Sequence, residues 1–100
     1  MEKIGINKKI KSTETYHKEL VKEQIDKINA MFNAGDVCVV ETENNRNLCG
    51  FFVEANYDDC DEEIGVVTIS DRQNTKKNDK RFIMHDATAI GDIISVAKYT

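Results

Sequence analysis

The 100-residue chain lacks several features that would place it in a specialised class of protein. Proline is absent and glycine occurs only 5 times, so a proline-rich linker is excluded. No apolar run approaches the roughly 18 residues that a membrane-spanning helix needs, and residues 1–12 lack the apolar core of a signal peptide. With 40% apolar residues, the composition predicts one globular domain and no membrane partner.

Cysteine and histidine are also too sparse for a metal or catalytic motif. The 3 cysteines are an odd number, and they form neither a zinc-ligand spacing nor an even disulfide set. Cys38 and Cys49 fall in predicted strands, where a free thiol is expected to be buried as a small hydrophobic group. We therefore predict a cytoplasmic protein with free thiols, no metal, no cofactor and no enzymatic activity.

The charged residues are unevenly distributed along the chain. The net charge of −4 argues against a general polyanion binder, although lysines also crowd residues 3–11. The basic run, residues 72–81, contains Arg72, Lys76, Lys77, Lys80 and Arg81. The acidic run, residues 58–63, contains Asp58, Asp59, Asp61, Glu62 and Glu63. We expect the two runs to give the molecule a dipole.

One helix is predicted ahead of the strands. Ser12 or Thr13 can cap it, and apolar residues recur at helical spacing to about Phe32 or Asn33. Gly35 then ends it, because glycine readily adopts the left-handed conformation that follows many helices. One half of this helix is expected to pack on the strands and the other half to meet another subunit or a partner. The alternative is a helix that only covers an open end of the barrel.

The segment after the helix predicts a β-hairpin. The β-branched, apolar residues 37–40 and the apolar residues 48–53 are typical of strands. Asn44-Asn45 between them suits a two-residue turn, since asparagine tolerates a positive φ. Gly50 would allow either a close approach of another backbone or a sharp bend of the second strand, and a small closed barrel requires such a bend.

Three further strands complete the prediction. They fall in residues 64–70, 81–85 and 90–99, with a turn at residues 86–89. A helix followed by five short strands predicts an α+β domain over residues 13–100, in which the helix covers a five-stranded antiparallel barrel. Residues 1–12 are assigned to a flexible lysine-rich arm, although the isoleucines at positions 4 and 6 could add a short edge strand.

A short motif in the predicted hairpin supports the barrel. The residues that carry it are Val37, Val39, Asn45-Arg46, Leu48, Gly50, Phe52, Asn56 and Asp58. Their order resembles the first motif of the Sm-like (Lsm/Hfq) small barrels, whose second motif would fall on residues 82–85 and 90–93. The layout is also similar to the YolD-like domains. The resemblance implies an SH3/Sm-like fold; Asn45 stands where that family has a glycine, and the acidic run stands where it has an RNA-binding Met-Asn pair.

The first functional hypothesis is a non-catalytic binding module for nucleic acid or a nucleotide. The basic run would contact phosphates, so that the affinity falls with salt, and Tyr57 and His85 would stack on a base. The predicted contact residues are Asn56, Tyr57, Arg72, Lys76, Lys77, Lys80, Arg81 and His85. The alternative for the basic run is a solvated loop between two strands.

The second hypothesis is a phage or mobile-element protein that binds and inhibits a host defence protein. Its interface would be the acidic run and the helix, with the carboxylates imitating the phosphate charge of DNA toward a basic partner. The acidic run lacks the spacing and central glycine of a calcium loop, so its alternative is a solvated turn. Under both hypotheses we expect a homo-oligomer, because the edge strands of a small barrel need partners.

Overall fold

The structure is a computed structural model in which residues 2–11, 18–44, 46–58, 60, 64–71 and 85–99 are described. Within these residues the chain forms one α-helix and a single sheet of six strands. The bounds are β1 (Glu2–Gly5), α1 (Lys18–Met31), β2 (Val37–Thr42), β3 (Asn47–Tyr57), β4 (Gly65–Ser70), β5 (His85–Ala89) and β6 (Ile93–Tyr99). Short 3₁₀ helices span Lys8–Lys11 and Ile90–Asp92. None of the described helices has the length and apolar character needed to cross a membrane.

The sheet is open, so the predicted five-stranded barrel behind an N-terminal helix is wrong. The strands are antiparallel in the order β1-β6-β2-β3-β4-β5, and β1 precedes α1 in the chain. β1 lies along the outer edge of β6, where Glu2 is opposite Lys98 and Ile4 is opposite Val96. To close a five-stranded barrel, the outer edge of β6 would have to pair with β5, but β1 pairs with that edge of β6. Residues 2–5, which the sequence assigned to an arm, form an edge strand.

The segment before β6 also differs from the sequence-based expectation. β5 covers residues 86–89, where a turn is predicted, and residues 81–84 of the predicted strand lie outside the described residues. Ala87 is opposite Thr68 and Ala89 is opposite Val66. Pairing with β4 therefore outweighs the weak strand propensity of alanine and aspartate. The chain reverses direction after β5, in the 3₁₀ helix Ile90–Asp92 that leads into β6.

The predicted pairing of β2 with β3 is confirmed, but the predicted two-residue turn is wrong. The N–H of Thr42 donates to the carbonyl oxygen of Arg46 at 2.9 Å, so three residues lie between these two positions. The two strands pair antiparallel, with Cys38 opposite Gly50. A Cβ atom at Gly50 would lie 2.7 Å from the carbonyl oxygen of Ser70 on β4, a separation that the backbone could not keep. Glycine at position 50 therefore permits the close approach of β4 to β3.

The core lies between α1 and one face of the sheet. The buried apolar side chains of α1 recur at helical spacing, as the sequence predicts. The helix side contributes Val21, Ile25, Ile28 and the following Phe32, and the sheet side contributes Val40, Phe52, Val67, Ile69, Ile93 and Val96. The rings of Phe32 and Phe52 stack with their centroids 4.6 Å apart. This contact holds the end of α1 against the middle of β3.

A lysine from β6 joins the end of α1 to the start of β2. The Lys98 ammonium group donates to the carbonyl oxygen of Met31 at 3.0 Å and lies 3.4 Å from the Asp36 carboxylate. Asp36 also accepts the backbone N–H of Asn33 at 2.7 Å. Gly35 has a φ of 91° in a turn that the N–H of Asp36 closes by donating to the carbonyl oxygen of Asn33 at 3.1 Å, and a positive φ at that position of a turn favours glycine. Because α1 ends at Met31, the prediction that Gly35 is the residue that ends the helix is wrong. The hydrogen bond from Asn33, helped by Lys98, holds the pKa of Asp36 below its usual value.

These contacts of Asp36 should make the protein less stable in acid. Because the pKa of Asp36 is lowered by folding, its stabilising contribution is complete above about pH 5 and is lost as the pH falls through the folded pKa. The difference in free energy of unfolding between the protein and Asp36→Asn should therefore shrink between about pH 4 and pH 2. Urea titrations at each pH measure it. A difference that stays constant over that range would contradict the prediction.

Gly50→Ala should destabilise the protein by about 1–3 kcal/mol, because the added methyl group would meet the carbonyl oxygen of Ser70. Gly5→Ala is the matched control, since a Cβ atom at Gly5 has no neighbour within 4 Å. Free energies of unfolding from urea titrations compare the two variants. Equal losses in both would show that the approach of β4 does not constrain position 50.

Candidate functional site

A groove of about 550 Å³ runs between α1 and the second half of β3. Its helix wall is polar and consists of Lys22, Asp26, Asn29 and Asn33. These residues are three or four positions apart, so α1 and the residues just after it present them on one side. The strand wall is residues 53–57, and the floor is made by the buried Ile25, Phe32 and Phe52. Polar walls over an apolar floor are typical of ligand sites.

The groove exists because β3 is longer than its neighbour β2. β3 has 11 residues and β2 has 6, and their pairing ends where Val37 is opposite Phe51. One more pair of backbone hydrogen bonds follows: the N–H of Phe52 donates to the carbonyl of Asp36, and the N–H of Gly35 donates to the carbonyl of Phe52, both at 2.8 Å. The pairing of β3 with β4 shifts its register just after Phe52. Beyond that point, the side of β3 away from β4 faces α1 instead of a strand.

The side-chain amide of Asn29 takes the place of the missing strand. Its Nδ2 donates to the carbonyl oxygen of Ala55 at 2.8 Å, and the backbone N–H of Ala55 donates to its Oδ1 at 3.1 Å. An antiparallel strand makes the same pair of hydrogen bonds with one residue of its neighbour. Two residues on, the N–H of Tyr57 donates at 2.8 Å to the side-chain oxygen of Asn56. Side chains therefore satisfy this edge of β3.

The groove carries carboxylates on facing walls, Asp26 on α1 and Glu54 on β3. Neither forms an ion pair with any residue that the structure describes. Lys22 is the one ammonium group among the lining residues, so two carboxylates and one ammonium leave a net charge of −1. The half-buried Asp58 follows the strand wall directly. A weakly acidic lining of this kind favours a basic, hydrogen-bonding ligand over a phosphate.

The structure separates some of the residues that the sequence grouped into a nucleic-acid site. Asn56 and Tyr57 line the groove. His85 is opposite Ser70, whereas Tyr57 is opposite Gly65 at the other end of β4, which is about 17 Å away along the strand. The other predicted contacts, Arg72, Lys76, Lys77, Lys80 and Arg81, lie outside the described residues, as do Asp59, Asp61, Glu62 and Glu63 of the acidic run.

The acidic run is adjacent in sequence to the groove residues of β3, and the basic run is not. The acidic run joins β3 to β4 between Tyr57 and Gly65, which are opposite each other at the groove end of the two strands. The basic run joins β4 to β5 between Ser70 and His85, which are opposite each other at the far end. Asn56 and Tyr57 are therefore followed directly in the chain by the acidic run.

The sequence-based prediction includes only two of the groove residues, Asn56 and Tyr57. The polar positions on α1 recur every three or four residues, but any solvated side of a helix shows that spacing. They form one wall of the groove because they face the edge of β3, and no local sequence pattern reveals that a strand edge lies opposite them. The spacing was therefore a signal too weak to identify the site.

The cysteines supply no activated nucleophile to the groove. Cys38 is buried, and its burial, together with the neighbouring Cys49, raises the pKa of its thiol to about 12, so little thiolate forms. The expectation that Cys49 is buried is wrong: it is exposed, because the alternation along β3 turns it away from the core. Among the described residues, no group of three or more His, Cys, Asp or Glu side chains is placed to hold a metal ion.

Comparison with known proteins assigns the chain to no family. No family model, no curated protein and no solved structure matches it. The resemblance to Sm-like and YolD-like domains therefore rests on the short sequence motif, since the layout of a helix followed by a five-stranded barrel is not observed. The geometry and charge of the groove are therefore the basis for the function proposed below.

Asn29→Ala should destabilise the protein by about 1–3 kcal/mol, because the N–H and C=O of Ala55 both lose their partner in a partly buried position. Asn33→Ala is the matched control: it removes another amide from the same wall without removing this pair of bonds. Urea titrations measure stability, and the hydrogen exchange of the Ala55 amide should quicken only in Asn29→Ala. If that variant behaves like the control in both measurements, Asn29 does not support the edge of β3.

Proposed function

We propose that the protein is a non-catalytic module that binds a partner protein in the groove between α1 and β3. The observation that carries the proposal is the edge of β3 at residues 53–57, which faces a helix and not a strand and is satisfied by the Asn29 and Asn56 side chains. Strand edges are recurrent binding surfaces, because their backbone groups supply affinity for another chain. The apolar floor adds area that leaves water when a partner binds.

The charge of the groove indicates the kind of partner. Asp26 and Glu54 are not committed to ion pairs with described residues, so a basic partner can bind them without breaking an ion pair within that part of the chain. Asp58 and the rest of the acidic run adjoin the same end of β3 in the chain. These features support the second of the two hypotheses, recognition of a protein through acidic residues and the helix. Inhibition of a host defence protein is one function that such binding would serve.

Nucleic-acid binding stays a prediction from the sequence. Its phosphate contacts would come from the basic run, whose two ends lie at the far end of β4 from Asn56 and Tyr57. A homo-oligomer also stays a prediction, now based on β1 and β5 as the two edges of the sheet. A cytoplasmic location likewise stays a prediction from the sequence.

Site-specific photo-crosslinking tests the proposed function. A photoreactive amino acid at position 33, on the groove wall, should capture a partner protein in cells that naturally produce the chain, whereas one at position 27, on another side of α1, should not. Asp26→Lys combined with Glu54→Lys should reduce the capture about tenfold or more, because it reverses the charge that attracts a basic partner. Glu2→Lys combined with Glu19→Lys is the control, since it makes the same change in net charge at exposed positions outside the groove lining.

The nucleic-acid hypothesis predicts the opposite pattern. Binding to a single-stranded oligonucleotide would then fall steeply with salt and would be lost in Lys76→Ala combined with Lys77→Ala. The groove variants would bind that oligonucleotide like the unmodified protein. Such a result, together with no capture from position 33, would show that the protein-binding proposal is wrong.

A further inference from the structure

We infer that the second half of β3 binds an extended segment of the partner by strand addition, and that Asn29 occupies the place of that segment until it binds. The inference rests on the proposed function and specifies how the partner is held. The carboxamide of Asn29 makes both hydrogen bonds that one residue of an antiparallel strand would make with Ala55, at 2.8 and 3.1 Å. The position of this amide marks where the N–H and C=O of one residue of the partner would lie.

The chemistry of the occupying group supports this inference. The Asn29 carboxamide presents an N–H donor and a C=O acceptor side by side, and one residue of an antiparallel strand presents its own N–H and C=O to its neighbour in the same way. Leucine or lysine at position 29 would have left Ala55 without one or both of its partners. The edge therefore accepts one donor and one acceptor at Ala55, which is what every second residue of an added strand supplies.

The length of the edge sets the size of the segment. Alternate residues of a strand direct their backbone groups to the same side, so Ala55 and Tyr57 both face the groove, about 7 Å apart. Among the described residues, the N–H of Tyr57 donates to the exposed side chain of its neighbour Asn56, which a partner can displace with little loss. A segment of about four or five residues covers both positions.

The lining of the groove sets the composition of the segment. Side chains of an added strand alternate between its two faces. An apolar side chain can therefore meet the floor beside Phe32 and Phe52, while the basic side chains next to it reach the carboxylates of Asp26 and Glu54. The segment that fits best alternates apolar and basic residues.

The role of Asn29 as an occupant has a consequence that a purely structural role lacks. A partner strand has to replace two hydrogen bonds that the protein already has, so Asn29 lowers the affinity. Removing its amide should increase the affinity for a strand while it decreases stability. A residue that only supports the groove would decrease both.

Titration of the isotope-labelled full chain with short peptides tests the inference by NMR. The probe is acetyl-Thr-Arg-Val-Arg-Thr-amide. Its control has the same sequence with a methyl group on the backbone nitrogen of valine, which removes one donor to the strand edge. The probe should shift the amide signals of Ala55 and Tyr57 and the side-chain amide of Asn29, and the methylated peptide should bind about fivefold more weakly or worse.

The same titration on variants tests the role of Asn29. Asn29→Ala should bind the probe about fivefold more tightly or better. Asn47→Ala removes an exposed amide at the other end of β3, outside the groove lining, and should bind the probe like the unmodified protein. If Asn29→Ala does not fold, Asn29→Ser replaces it, because a hydroxyl group keeps part of the polar contact but cannot make both bonds. The comparison of the two peptides uses the unmodified protein and does not depend on either variant.

Two results would overturn the inference. One is equal binding of the methylated and unmethylated peptides, and the other is no shift of the Ala55 and Tyr57 amides at peptide concentrations up to about 10 mM. Neither result affects capture from position 33, so a partner protein that binds the groove in another way would still be detected. Loss of that capture, in contrast, would remove the proposed function itself.

Discussion

The unequal lengths of β2 and β3 are the constraint on which the rest of the structure depends. β3 has 11 residues and β2 has 6, so the second half of β3 needs a different neighbour on that side. α1 provides it, and the stacked rings of Phe32 and Phe52 hold the helix in place. The groove, its polar wall and its apolar floor all follow from a strand that continues past its partner.

The helix is positioned by polar contacts as well as by its apolar stripe. Burial of Val21, Ile25 and Ile28 supplies a large, non-directional part of the stabilisation. The bonds of Asn29 to Ala55 and of Lys98 to Met31 are directional, so they determine how far α1 is shifted along β3. A variant that keeps the apolar stripe but loses these bonds would still bury α1 with less control over its position.

Local patterns predicted much of the secondary structure. The pairing of β2 with β3 and the close backbone approach at Gly50 depend on neighbours in sequence or on one strand pair, and both are observed. The open sheet could not be predicted in this way, because it depends on the pairing of residues 2–5 with residues 95–98. The strand at residues 85–89 has weak intrinsic preference and is determined by β4. The groove depends on Asn29 and Ala55, which are 26 residues apart in the chain.

The position of β6 in the sheet affects how the chain can fold. β6 is the last of the six described strands in sequence, yet it lies between β1 and β2. While the protein is being synthesised, β1 and one edge of β2 have no neighbour until residues 93–99 have left the ribosome. Stepwise assembly from the first strand onward is therefore excluded, and the sheet has to be completed by a late closure over a long loop, which is a slow step in folding. During that interval the exposed edge of β2 is the part of the nascent chain most open to incorrect pairing.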